Sequence, residues 1–154
     1  MAITLTKEVT DLLADVRTNK VLATVDHLGF PHAEGGVSLL AGEQGTLLYL
    51  ESFESSSTNK NLVRSIWFDN RVAITLIGSA GESFQIKGKP VKVHITGPLF
   101  LKYYHQLRQH QGDVNLAAVW EIEPDEIIND GQAARRKHEE QVHPFFTHLD
   151  RLVR

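Results

Sequence analysis

The spacing of apolar and polar positions divides the chain into short strands and a few helices. Apolar residues recur at i, i+3, i+4 and i+7 from Val9 to Val16 behind Thr6, and this spacing predicts an amphipathic helix over residues 6–18. Six β-rich runs, bounded by Gly, Pro, Asp and Asn, predict strands at 21–26, 32–40, 46–51, 71–77, 84–95 and 113–124. The first three runs are typical of an antiparallel meander. The expected fold class is therefore mainly β, with peripheral helices.

Three further segments have a helical pattern. In residues 52–70 a serine-rich loop precedes a helix with Leu62 and Ile66 on one side. Pro98 suits a first helical position, and the helix it begins is expected to end near Gly112. From Gln132 onward the composition is helical and basic.

The run 84–95 changes the parity of its apolar residues. Phe84 and Ile86 place the apolar side on even numbers, whereas Val91 and Val93 place it on odd numbers, and Gly88 lies between the two pairs. A strand exchanges its two faces in this way at a bulge or a sharp bend. Because small barrels turn their corners with long bent strands, this run favours a closed or partly closed barrel over a flat sheet.

Composition limits the classes of function that remain. The 154 residues suit one compact unit with a real core, and the net charge of -3 gives no overall attraction for nucleic acid. No apolar run approaches the ~18 residues of a membrane span, and the N-terminus lacks a signal-like pattern, so we expect a cytoplasmic protein without a membrane partner. The absence of cysteine excludes disulfides, thiolate zinc sites and cysteine nucleophiles.

The strongest chemical signal is the segment ESSSTNKNL at 54–62. Hydroxyl, amide and ammonium groups gather there at the start of a predicted helix, on Ser57, Thr58, Asn59 and Lys60. Exposed N–H groups and the positive end of a helix attract an anion, so the segment suits a phosphate. The alternative is that the hydroxyls simply cap the helix and that Lys60 is a solvated surface residue.

Other candidate motifs give weaker signals. The eight histidines lack the i, i+4 spacing of helical metal ligands, and no HExxH motif is present, so no metal site is predicted. The segment GSAGES at 78–83 lacks the GK[ST] ending of a phosphate loop and suits a hairpin. No serine lies in a GxSxG motif, and we nominate no catalytic residue.

Three segments in order carry a resemblance to a known family: LATVDHLGFPHAEGG (22–36), STNKNLVRSIWFDNRVAITL (57–76) and GESFQIKGKPVKVHITGP (81–98). Over about residues 8–130 the chain resembles the pyridoxamine 5'-phosphate oxidase-like FMN-binding split barrels, especially their short FMN-binding members. The resemblance implies a six-stranded antiparallel split barrel that forms a homodimer, with FMN in the groove between subunits. It also implies a split-barrel domain at 1–130 and a C-terminal helical extension at 131–154.

The resemblance assigns site residues position by position. The phosphate clamp corresponds to Ser57, Thr58, Asn59 and Lys60, and the strand along the flavin ring corresponds to Gly36, Val37 and Ser38. Arg71 matches a position that is often basic in the family. An aromatic contact from the partner subunit is expected from Trp67 or Trp120.

One departure from the family narrows the function. The C-terminal Arg/His-rich segment of the true pyridoxamine phosphate oxidases has no match in this chain, so we expect an FMN-dependent oxidoreductase or electron carrier of unknown substrate. Phe145 and Phe146 in the tail are expected to pack on the barrel or on the partner subunit. Two alternatives stay open: a haem-binding or haem-degrading protein of the same barrel type, with His143 or His148 as axial ligand, and a structural barrel without a cofactor.

Overall fold

The computed structural model describes residues 3–144, which form seven strands and four helices. The strands are β1 (Asn19–Val25), β2 (Pro31–Gly35), β3 (Ser38–Ala41), β4 (Leu47–Glu51), β5 (Val72–Ile77), β6 (Ser83–His94) and β7 (Ala118–Asn129). The helices are α1 (Lys7–Ala14), α2 (Ser57–Phe68), α3 (Pro98–Gln111) and α4 (Gln132–Val142). None of these helices is long and apolar enough to cross a membrane. The predicted mainly β class with peripheral helices is confirmed.

All neighbouring strands are antiparallel, in the order β2-β1-β5-β6-β7-β4-β3. The two outermost strands, β2 and β3, are consecutive in the chain and are separated only by Gly36 and Val37. Three residue steps from Gly35 to Ser38 reach at most ~11 Å, whereas seven flat strands would separate the two edges by ~29 Å. The sheet must therefore curl until its edges approach, as the bent strands predicted.

The predicted single strand at 32–40 is wrong, and it accounts for seven strands where six were expected. The chain pairs with β1 as far as Gly35 and then pairs with β4 from Ser38 onward. Gly36 has φ of 67°, a left-handed conformation that favours glycine, and this residue redirects the chain from one sheet edge to the other. The first three predicted runs consequently do not form one meander, because β2 and β3 are not paired with each other.

The predicted bend at Gly88 is confirmed. The register between β6 and β7 shifts between Lys87 and Gly88, and again between Pro90 and Lys92. The run predicted at 113–124 corresponds to β7, which begins at Ala118 and continues to Asn129. Pro124 lies opposite Gly88 at the first shift, where the ladder is interrupted and the missing N–H of proline is tolerated.

The barrel buries apolar residues on both of its sides. Inside, α1 contributes Val9, Leu12 and Leu13 to a core that also receives side chains from strands and from α2. Outside, α3 places Tyr103 against a second cluster that contains Leu48 and Val119. Strand β4 is buried along its whole length because it has a core on each face. Helix α1 is shorter than the predicted 6–18 and ends at Ala14, but its cap is as predicted: Thr6 Oγ1 accepts a hydrogen bond from Val9 N at 3.3 Å.

The predicted C-terminal extension is described only in part. Helix α4 lies within it and has no buried side chain. Phe145, Phe146 and His148 lie outside the described residues. The boundary at 130 and the packing of the tail stay predictions.

Candidate functional site

The first turn of α2 carries the residues of the predicted phosphate clamp. Ser56 is the N-cap, and its Oγ accepts a hydrogen bond from Asn59 N at 2.9 Å. Ser57 and Lys60 are exposed, Asn59 is half-buried, and Thr58 is fully buried. The hydroxyl-rich segment therefore both caps the helix and presents two polar side chains to solvent.

Three side-chain hydrogen bonds hold α2 against the barrel, and a fourth, from Asn59 to Glu54, holds it to the preceding loop. Thr58 Oγ1 donates to Glu34 Oε2 of β2 at 2.6 Å. Asn59 Oδ1 accepts from Trp120 Nε1 of β7 at 2.9 Å, and Asn59 Nδ2 donates to the Glu54 carbonyl at 3.0 Å. A third bond, 3.0 Å long, joins the side chains of Asn61 and Thr24 inside the barrel. The side chains of Thr58 and Asn59 are thus engaged within the chain, and they orient the turn.

The carboxylate that receives Thr58 belongs to a larger buried group. The Tyr49 hydroxyl oxygen lies 2.5 Å from Glu51 Oε2 and 3.4 Å from Glu34 Oε2. Glu51 is 2% exposed, and its other oxygen accepts from Phe53 N at 3.1 Å. Burial, reinforced by the neighbouring Glu51 carboxylate, raises the pKa of the Tyr49 phenol well above its usual range. Tyr49 therefore stays a neutral donor between two carboxylates.

The predicted ring strand, Gly36 to Ser38, lies next to this group. Glu34 is two residues before Gly36, so its bond to Thr58 brings the start of α2 to the point where the chain crosses between sheet edges. Val37 N donates to the Lys20 carbonyl at 3.4 Å, and Ser38 is exposed beside a cavity.

That cavity beside Ser38 measures about 270 Å³ and lies between the loop after β4 and the end of α3. Ser52, Phe53 and Gln111 line it together with Ser38. Among the predicted cofactor residues, Ser38 lines this cavity, whereas none of Ser57, Thr58, Asn59 and Lys60 does.

Other predicted site residues are engaged elsewhere. Arg71 forms ion pairs with Asp69 (3.2 Å) and with Asp125 (2.8 Å) at the far end of α2. Trp120 is 1% exposed and belongs to the inner core, which leaves its ring no free surface for a ligand. Trp67, the alternative aromatic residue, is 79% exposed.

The buried side of α2 does not coincide with its apolar side. Leu62 is buried as predicted, but Ile66 is 40% exposed, since the buried face consists of Thr58, Asn61, Leu62 and Ser65. These residues keep the i, i+3, i+4, i+7 spacing of a helix face, although most of them are polar. The side of α2 that carries Leu62 and Ile66 is therefore only partly its buried side, and three of the four residues on the buried side are polar.

Sequence reasoning missed Glu34, Tyr49 and Glu51. A signal was present in the run TLLYLE, where Tyr49 and Glu51 share the face of the buried Leu47. A glutamate on the core side of a strand needs a hydrogen-bond donor, and Tyr49 two positions earlier supplies it.

The arrangement suits the binding of an anionic group at the start of α2. The first N–H groups of a helix have no acceptor within the helix, and they carry the positive end of its dipole. The hydroxyl of Ser57 and the ammonium of Lys60 lie exposed on this turn, and Lys60 forms no ion pair within residues 3–144. Across the same residues, no group of three or more His, Asp or Glu side chains is placed to hold a metal ion.

Comparison with known proteins places the fold. No family model and no curated protein matches the sequence. Solved structures of pyridoxamine 5'-phosphate oxidase-like split-barrel proteins share the fold, which confirms the split barrel that the resemblance implied but not its six strands, since this chain has seven.

Three of these structures give the scale of the likeness. HupZ of Group A Streptococcus is 20% identical at a TM-score of 0.67, over 84% of this chain and 96% of that one. An FMN-binding protein from Syntrophomonas wolfei is 12% identical at a TM-score of 0.63, over 79% of this chain and 83% of that one. HutZ, the haem storage protein of Vibrio cholerae, is 14% identical at a TM-score of 0.56, over 82% of this chain and 95% of that one. The solved structures that share this fold thus include one named as an FMN-binding protein and one named as a haem storage protein.

Proposed function

We propose that the chain binds FMN and acts as an oxidoreductase or electron carrier, with the phosphate at the first turn of α2 and the ring along Gly36, Val37 and Ser38. The observation that carries the proposal is the bond between Thr58 and Glu34, which joins these two parts of the site. The fold shared with the FMN-binding protein from Syntrophomonas wolfei supports it. When bound, FMN supplies the hydride or electron chemistry.

The exposed residues of the turn fit a phosphate, and the proposed clamp consists of two side chains, those of Ser57 and Lys60. Ser57 and Lys60 offer a hydroxyl and a full positive charge beside the first N–H groups of the helix, of which Asn59 N already donates to Ser56 Oγ. Thr58 and Asn59 contribute through the rigidity they give the turn, since their side chains are bonded to Glu34 and Trp120.

The proposed site is completed by a second copy of the chain. Ser38 and the cavity beside it are open to solvent, so one barrel alone leaves a flat ring covered on one side. A homodimer would supply the second wall, and the exposed Trp67 is a candidate for that contact.

An absorption spectrum of the freshly purified protein tests the proposal directly. Bound flavin gives a yellow protein with its two characteristic bands, and the mass in solution should be that of a dimer. A colourless protein that also fails to bind added FMN would instead support a structural barrel without a cofactor.

Substitution of Lys60 by alanine tests the position of the phosphate. The variant should bind FMN about tenfold more weakly and riboflavin unchanged, because only FMN carries the charged group. Lys137→Ala, on the exposed face of α4, is the matched control for loss of one lysine. Equal weakening of both flavins by Lys60→Ala would remove this residue from the clamp.

A haem-binding function is the second candidate, and the likeness to HutZ of Vibrio cholerae favours it. Of the two histidines suggested by the sequence as axial ligands, His143 lies directly after α4. A red-brown protein with a single intense haem band would support this function, and loss of that band in His143→Ala would assign the ligand.

A further inference from the structure

The positive end of α2 already has a negatively charged neighbour. Glu34 Oε2 lies 2.6 Å from the Thr58 hydroxyl, and Glu34 is half-buried on β2. A carboxylate at a helix N-terminus is stabilised by the helix dipole. An anionic ligand at the same turn must therefore share that dipole with Glu34.

A second carboxylate strengthens the negative potential. Glu51 is buried, and the Tyr49 hydroxyl bridges it to Glu34. Tyr49 has one proton, which the shorter 2.5 Å contact assigns to Glu51. Within residues 3–144 neither carboxylate forms an ion pair with Lys, Arg or His.

We infer that Glu34 is a specificity-determining residue that sets the charge accepted at the α2 turn, weakening a phosphate dianion relative to an uncharged group. The inference rests on the proposed function, because it concerns the same turn. Like charges repel more strongly at a half-buried site than in water, since the effective dielectric constant is lower there. Lys60 and Glu34 act on the ligand in opposite directions: Lys60 attracts its phosphate and Glu34 limits the affinity.

Glutamine at position 34 separates charge from shape. Glu34→Gln keeps an oxygen that can accept the Thr58 bond and removes the negative charge. This variant should bind FMN about tenfold more tightly than the unaltered protein and bind riboflavin with unchanged affinity. The measurement is quenching of flavin fluorescence during titration of each flavin with the full chain.

Two further variants complete the experiment. Glu140→Gln removes one negative charge from the exposed surface of α4 and should leave both affinities unchanged. Glu34→Ala removes the same charge as Glu34→Gln without introducing an amide, and it replaces that variant if circular dichroism shows that glutamine disturbs the fold.

The outcomes separate this inference from the proposed function. Tighter binding of FMN alone by the Glu34 variants supports the inference. If the unaltered protein binds FMN but the Glu34 variants bind it equally or more weakly, the inference is overturned and the proposed function stands. If no variant binds either flavin, both are overturned.

Discussion

Helices α1 and α2 pack against the same barrel by different means. Helix α1 buries three apolar side chains, Val9, Leu12 and Leu13. Helix α2 buries a single large apolar side chain, Leu62, together with the polar Thr58, Asn61 and Ser65. Apolar contacts stabilise α1 without fixing one orientation closely, whereas directional hydrogen bonds hold α2 in one position.

The difference between the helices indicates where function is expected. A buried polar side chain lowers stability unless it finds a partner, so a polar helix face is costly to build. On α2 that polar face orients the turn that carries the exposed Ser57 and Lys60. The buried face of α1 is apolar and orients no such turn. If this view is correct, changes in α1 should affect stability alone, and changes in α2 should also affect binding.

The largest effect is expected in α1. Leu12→Ala removes a side chain that is 6% exposed and should lower the free energy of unfolding by about 3 kcal/mol. Val16→Ala, at a position 97% exposed, should leave stability unchanged and is the control. Urea denaturation measures both. A folded Leu12→Ala variant with altered flavin affinity would contradict the division between the two helices.

A smaller loss is expected at the polar contact of α2. Thr58→Val keeps the shape of the side chain but removes the hydrogen bond to the Glu34 carboxylate, which should lower the free energy of unfolding by about 2 kcal/mol. Thr10→Val is the matched control, since its exposed hydroxyl donates to the carbonyls of Thr6 and Lys7 at the start of α1. Thermal denaturation compares the two variants, and equal stability losses would mean that the Glu34 contact contributes nothing special.

The same contrast explains which features could be predicted from the sequence. Apolar periodicity located α1, and the change of parity around Gly88 located the bend in β6. The buried face of α2 was misjudged because its residues are polar, and hydropathy does not distinguish Asn61 bonded to Thr24 from a solvated asparagine.

The split between β2 and β3 could not be predicted from the sequence for a different reason. Gly36 lies inside the run that was predicted as one strand, and the edge to which the chain continues is set by pairing with β4, which the run itself does not reveal. The Glu34 contact depends on the same long-range geometry, since its partner Thr58 lies 24 residues further along the chain.

Alkaline pH should destabilise the protein through Tyr49 of β4, whose hydroxyl lies beside the Glu34 carboxylate that holds α2. The fold raises the pKa of Tyr49, so folding favours the protonated phenol, and the stability this provides is present below the unfolded-state pKa of 10.0 and is lost as pH rises above it. Between pH 10 and 11, Tyr49 should account for a loss of up to about 1.4 kcal/mol, the value of one pKa unit.

Tyr49→Phe isolates that contribution, because the variant lacks the titrating group while other residues titrate as before. Its stability should fall less steeply with pH than that of the unaltered protein, as measured by urea denaturation at each pH. Parallel curves for the two proteins would show that the phenol between Glu34 and Glu51 does not respond to pH as its burial implies.

The smallest effect on stability is expected at the residue with the largest proposed role in binding. Lys60 is exposed and forms no ion pair in the described part of the chain, so Lys60→Ala should change the free energy of unfolding by less than about 0.5 kcal/mol. Thermal denaturation without ligand measures this, and Lys137→Ala is again the control. A clear loss of stability in Lys60→Ala alone would mean that the ammonium group supports the fold, and its effect on FMN binding would then reflect a disturbed turn. Unchanged stability would instead allow weaker FMN binding to be attributed to the missing charge, because the hydrogen-bonded face of α2 that holds the turn would be intact.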